Sequence, residues 1–303
     1  MSIKLRAFTI ISVIFVSLPA FAQDLTGTLK KIKDTGAITL GHRESSVPFS
    51  YYDDSQRVIG YAMDLCYKIV DAVKSNLKMD KLEVKLNPVT SATRIPLIAN
   101  GTVDLECGST TNNLEREKQV SFTVTHFVTA NRFVSKKSSN LKTVDDLKGK
   151  TIVSTSGTTN IKQINEIGAQ RHLDLNIIAA KDHAEAFLMV ETDRAAAFVM
   201  DDILLFSLVA TSKSSGDYVI SADALSVEPY GIMLRREDPA FKKVADDEMT
   251  AIYKSGAINA IYEKWFLKPI PPKGINLNVP MSTAFKKVVA NPTDSGDPAW
   301  YAP

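Results

Sequence analysis

From residue 36 onward, short runs rich in β-branched and aliphatic residues alternate with stretches whose apolar positions recur at helical spacing. Strands are predicted over 37–41, 82–88 and 102–107, and helices over 63–77, 92–100 and 112–119. After a helical turn at 144–150 the rhythm restarts with strand 151–154, helix 160–169, strand 175–180, helix 184–192 and strand 195–200. Such alternation predicts an open α/β sheet with helices on both faces, and here it predicts two of them.

Two extended segments, 125–133 and 226–234, carry the chain from the first unit to the second and out again. Two crossings imply a discontinuous first lobe, 23–127 with a return over 229–281, and an inserted second lobe, 128–228. Helices predicted over 238–255 and 257–266 belong to the return. Residues 282–303 are left as a C-terminal tail, whose end at 291–303 is rich in Pro, Asp and Ser and is expected to be loose.

Residues 1–22 hold Lys4 and Arg6, an apolar run over 7–18 and the small-x-small pattern Ala20-Phe21-Ala22, which reads as a cleaved secretory signal. An apolar core of about 12 residues falls short of the roughly 20 that cross a bilayer. With 45% hydrophobic and 23% charged residues among 303, disorder is excluded for most of the chain. Lys+Arg number 36 against 34 Asp+Glu, so there is no bulk positive field of the kind that holds nucleic acid. Loss of residues 1–22 removes two basic groups and no acidic one, and leaves the exported chain neutral. In an oxidising compartment the pair Cys66 and Cys107 is a candidate disulfide, with two buried free thiols as the alternative. Cys66 lies in a helical pattern and Cys107 ends a predicted strand, which suits a helix packed on a sheet.

Ligands of open α/β units sit at the carboxyl ends of strands, beside helix N-termini that attract anions. Two turns fit that description: Cys107-Gly108-Ser109-Thr110-Thr111-Asn112, with Arg116 beyond it, and Ser154-Thr155-Ser156-Gly157-Thr158-Thr159-Asn160. Ser109, Thr111 and Thr159 would serve equally as helix N-caps, but a turn of this kind in each lobe could close two sets of donors onto one anion. Arg43, Arg94 and Arg116 all follow predicted strand ends of the first lobe, and arginine holds carboxylates in a bidentate way. Opposite them, Asp201 ends a second-lobe strand, where a carboxylate could receive an ammonium. Asp182 and Glu185 have the spacing of a capping box around His183. The chain lacks phosphate-loop, nucleophile-elbow and zinc spacings, and no cofactor or metal is expected.

At these residues the sequence resembles the periplasmic solute-binding proteins of polar amino-acid ABC transporters, family 3, in their glutamate/aspartate branch. The likeness runs from about residue 25 to residue 277. It is densest in GHRESSVPFSYYD, TSATRIPLIANGTVDLECGSTTNNLEREKQ, TSGTTN, AKDH, MDD and KWFLKPIPPK. The resemblance implies a type II two-lobe clamp that binds L-glutamate or L-aspartate and delivers it to a membrane permease. It implies a monomeric, non-enzymatic protein in the periplasm of a Gram-negative bacterium. It further implies that Arg116, Ser109, Thr111 and Thr159 hold the α-carboxylate, that Asp201 takes the α-ammonium, and that Arg43, Ser91, Arg94 and His183 surround the distal carboxylate. The competing function is an enzyme on the same fold, a cyclic-acid dehydratase with His183 or Glu106 as general acid.

Overall fold

The computed structural model describes residues 25–301, and the expected signal segment at 1–22 lies outside them. The described chain begins with α1 (Gly27–Thr35) and β1 (Ala37–His42), followed by a small antiparallel sheet of β2 (Ser45–Ser46), β3 (Ser50–Tyr52) and β4 (Val58–Ile59). Next come α2 (Tyr61–Asn76), β5 (Glu83–Pro88), α3 (Arg94–Ala99), β6 (Leu105–Glu106) and β7 (Val120–Phe122). The long strand β8 (Phe127–Lys136) leads to β9 (Thr151–Thr155), α4 (Thr159–Gln170), β10 (Asn176–Ala180), α5 (His183–Glu191), β11 (Ala197–Asp201), α6 (Asp202–Thr211) and β12 (Tyr218–Ile220). Then β13 (Ser226–Tyr230) returns the chain to β14 (Met233–Arg235), α7 (Pro239–Lys254), α8 (Ala257–Phe266) and α9 (Thr283–Ala290).

Two mixed sheets result, with strand orders β5-β1-β6-β14-β7 and β10-β9-β11-β8-β12. In each, three strands are parallel and bounded by helices, and strands such as β11 are buried along their whole length, as parallel strands covered on both faces must be. Helix α2 shows why the pattern works. It buries Tyr61, Ala62, Leu65, Cys66, Ile69, Val70 and Val73 on one side, three and four residues apart. The crossing strands β8 and β13 pair antiparallel from Ser226↔Asn131 to Tyr230↔Phe127, so both connections run side by side. Aromatic rings pack around them, with Phe127 4.9 Å from Phe266 and Phe49 5.2 Å from Tyr230 between centroids. The molecule has the two-lobe α/β fold that the alternating runs predict.

Several elements differ from expectation. The helix predicted over 112–119 is a single 3-10 turn, Arg116–Lys118. Asn113 Oδ1 accepts the backbone N–H groups of Glu115 and Arg116, and the Asn112 N–H bonds Pro229 O at 2.7 Å, so side chain and crossing strand take the groups a helix would need. The helix predicted over 92–100 starts at Arg94, because Thr90 and Thr93 fold the preceding turn through their hydroxyls. The expected loose end is packed: Thr125 N–H donates to Thr293 O at 2.7 Å, and Tyr301 is buried with its hydroxyl 2.7 Å from Thr125 Oγ1. Its Pro and Asp content describes irregular backbone, which here is bonded rather than free.

Cys66 of α2 and Cys107, just after β6, form a disulfide with Cα atoms 6.1 Å apart. The bridge fastens a covering helix to the sheet immediately before the Ser109 loop.

Candidate ligand-binding site

Every residue singled out for binding lies at or beyond the carboxyl end of a strand. Arg43 follows β1, Ser91 and Arg94 follow β5, and Ser109, Thr111 and Arg116 follow β6. Thr159 follows β9, His183 follows β10, and Asp201 closes β11. Because β1, β5 and β6 run parallel in one sheet and β9, β10 and β11 in the other, each set is gathered at one edge.

The two sets meet. Arg116 donates through Nη1 to Thr111 O at 2.8 Å and through Nη2 to Gly157 O at 3.2 Å, joining the β6 loop to the β9–α4 turn. Gly157 has φ +77°, and a Cβ there would stand 2.6 Å from Ala92 Cα, so glycine permits the close approach of that turn to the Ser91 loop. Arg43 Nη2 lies 3.4 Å from His183 Nε2, and His183 Nδ1 lies 2.8 Å from Thr155 Oγ1. A guanidinium can only donate, so Nε2 accepts and the ring hydrogen sits on Nδ1, donated to Thr155. Arg94 donates through Nη1 to Ser109 O at 3.3 Å and to Thr110 Oγ1, whose own hydroxyl donates to Glu106 Oε2 at 2.6 Å. Asp201 accepts from Asn160 Nδ2 at 2.7 Å and from the Tyr230 hydroxyl.

Four donor groups of the site keep buried polar atoms without a protein partner, Arg43 Nη1, Arg94 Nε, Ser91 Oγ and Ser109 Oγ, and so does the acceptor Glu106 Oε1. Buried donors are normally bonded, so an acceptor is called for where they converge. Charge points the same way. Burial lowers the pKa of all three arginines, and Arg94 lowers it further at both Arg43 and Arg116. An incoming anion relieves that crowding. Burial, reinforced by Arg43 and Arg94, pushes His183 well below its usual value, so it enters the site as a neutral ring rather than as a third distal cation. Asp201 is raised to about 7, first by burial and then by Glu228. A cation beside Asp201 would reverse that shift.

Some expectations change at the level of atoms. Thr158, not Thr159, caps α4, while the Thr159 hydroxyl donates to Glu228 Oε2 at 2.9 Å. Ser109 and Thr111 cap no helix, because none follows them. Asp182 accepts the Glu185 N–H at 2.9 Å as a cap, but Glu185 reaches the Lys181 N–H instead of closing a capping box. Sequence reasoning missed Glu228 and Tyr230, and gave no role to Thr155 and Asn160 within the turn it singled out; all four are buried. The available signal was Glu228 itself, the one charge in the crossing segment 226–234. His183 and Glu106, the acids a dehydratase would use, are both tied into this network.

Two α/β lobes joined by paired strands, with cationic and anionic groups facing each other at the strand ends, define a solute-binding clamp. Residues 38–268 match the model for bacterial extracellular solute-binding proteins, family 3, and the chain belongs to that family. It is 53% identical over 287 residues to the L-glutamate/L-aspartate-binding protein of Pseudomonas aeruginosa, covering 94% of this chain and 95% of that one. It is 48% identical over 267 residues to the glutamate/aspartate import solute-binding protein of Salmonella typhimurium, covering 88% of each. Among solved structures, a mutant of ArgBP from T. maritima superposes with a TM-score of 0.70 at 28% identity, covering 78% of this chain and 98% of that one.

Proposed function

We propose that the protein binds L-glutamate or L-aspartate in the periplasm and delivers it to the membrane permease of an ABC transporter. The observation that carries this reading is the convergence of three buried guanidiniums, two with unpartnered nitrogens, opposite the buried carboxylate of Asp201. An α-amino acid with a second carboxylate supplies one anion for each end of the arginine cluster and an ammonium for Asp201. The relatives named for glutamate and aspartate support the same ligand class.

In the proposed arrangement Arg116, with Ser109, Thr111 and Thr159, holds the α-carboxylate, Thr159 acting from the first turn of α4 rather than through its hydroxyl, whose hydrogen goes to Glu228, and Asp201 receives the ammonium. Arg43, Ser91, Arg94 and His183 surround the distal carboxylate, His183 donating nothing from Nδ1 because Thr155 has that hydrogen. The protein acts as a monomeric carrier and not as an enzyme, with lobes divided as 23–127 plus 229–281 against 128–228. Its export rests on the signal read at residues 1–22.

Calorimetry on refolded, ligand-stripped protein tests the reading. An amide side chain leaves Arg43 and Arg94 facing a neutral group, and truncating one partner of a buried charge pair costs about 2–5 kcal/mol. Glutamate or aspartate is therefore expected to bind at least about 30-fold tighter than glutamine. Equal affinities would overturn the assignment.

A further inference from the structure

Glu106 ends β6 and is fully buried, yet no step of the proposed binding uses it. Its Oε2 accepts the Thr110 hydroxyl at 2.6 Å, and Oε1 has no partner. Thr110 Oγ1 in turn accepts from Arg94, so carboxylate, hydroxyl and guanidinium form one chain. Gly108 makes the placement possible: a Cβ there would stand 2.3 Å from Glu106 Oε1 and 2.9 Å from Arg43 Cγ. A side chain at that position would drive the carboxylate away from Arg43. Burial works against the charge on both Arg43 and Arg94, and Glu106 is the foremost charge supporting each of them. Asp182 also supports Arg43, but its carboxylate is engaged at the N-terminus of α5.

We infer that Glu106 is a specificity-determining residue that sets the charge of the distal pocket. Two guanidiniums opposed by one buried carboxylate leave the distal pocket a single positive charge instead of two. This rests on the proposed acidic-amino-acid function and deepens it. The same carboxylate repels the distal group of a bound glutamate while leaving the neutral amide of glutamine almost unaffected. Selectivity is thereby held below what the arginines alone would give, and the free pocket is kept from holding two uncompensated buried cations.

The test is calorimetry of glutamate and glutamine on the ligand-stripped wild type and on Glu106→Gln, with a thermal melt to verify folding. The glutamine side chain keeps an oxygen for Thr110 and removes the charge, so the glutamate-over-glutamine affinity ratio is expected to rise at least about fivefold. A residue that merely props the loop would weaken both ligands alike, so an unchanged or smaller ratio overturns the inference. Should Glu106→Gln fail to fold, Glu106→Asp draws the charge back toward the strand and is expected to raise the ratio at least about twofold. An unchanged ratio there overturns it equally. A wild type that does not prefer glutamate to glutamine would instead strike at the proposed function.

Discussion

Arg116 and Arg43 serve different parts of the ligand in the proposed site, and substitution separates them. Arg116 spans the two lobes, bonding carbonyls of Thr111 and Gly157, and it is assigned the α-carboxylate that all amino acids share. Arg116→Ala is therefore expected to abolish binding of every amino acid in calorimetry. Arg43 pairs with His183 at the distal end, so Arg43→Ala should weaken glutamate and aspartate by at least about 30-fold and glutamine far less. Glutamate affinity within about threefold of wild type in Arg116→Ala, close to roughly 0.7 kcal/mol, would place the α-carboxylate elsewhere. The arginines were legible in the sequence because each follows a strand end, and in a parallel sheet such ends share one edge. What could not be read was which hydroxyl does what. Thr159 and Thr158 are neighbours of the same type, and only the path of the turn decides that Thr158 caps α4 while Thr159 faces Glu228.

At the scale of elements, the alternation of apolar runs is legible because it is imposed locally: a strand covered on both faces must be apolar, and a covering helix must be apolar on one side. Segments whose fate is decided by distant partners are not legible in that way. The loop at 112–119 loses its expected helix to Asn113 and to Pro229 on β13, more than 100 residues away. The C-terminal segment is the clearest case. Its end, 291–303, reads as loose from its Pro, Asp and Ser content, yet it follows α9, whose Phe285 is buried, Asp294 O accepts from Asn112 Nδ2 at 2.7 Å, and the Asp294 carboxylate pairs with Lys242 at 2.8 Å. Asn112 directly follows Thr111, so the C-terminal segment braces the back of the proposed ligand loop as well as the Thr125 end of the first crossing. Deleting residues 291–303 removes a buried tyrosine and several hydrogen bonds, together about 3–5 kcal/mol. The melting temperature, followed by calorimetry, is expected to fall by roughly 5–10 °C, with weaker glutamate binding. A truncated protein that melts within about 1 °C of the full chain would mean that the tail is as loose as its composition suggests.

For the molecule as a whole, the division of the proposed site between two sheets predicts that binding is coupled to domain motion. Arg43, Ser91, Arg94, Ser109, Thr111 and Arg116 come from the first sheet's edge, and Thr159, His183 and Asp201 from the second's. With the edges together, three guanidiniums are buried and Arg43 Nη1, Arg94 Nε, Ser91 Oγ and Ser109 Oγ have no protein acceptor. Each such buried, unsatisfied donor costs about 1–3 kcal/mol, more when charged. A ligand that fills them offsets this cost in the closed arrangement and has fewer partners in an open one. It therefore shifts the balance toward closure by its differential affinity for the two. The connection suits that motion. Strands β8 and β13 are paired over only a short span, Ser226↔Asn131 to Tyr230↔Phe127, and Tyr230 at its end bonds Asp201, so the crossing strands and the proposed ammonium site share a residue. Closure about these strands is expected to lower the radius of gyration of ligand-free protein when glutamate is added, measured by small-angle X-ray scattering on material stripped by refolding. An unchanged radius at saturating glutamate, with binding measured independently, would show that this chain binds its ligand without clamping, even with the ligand assignment intact.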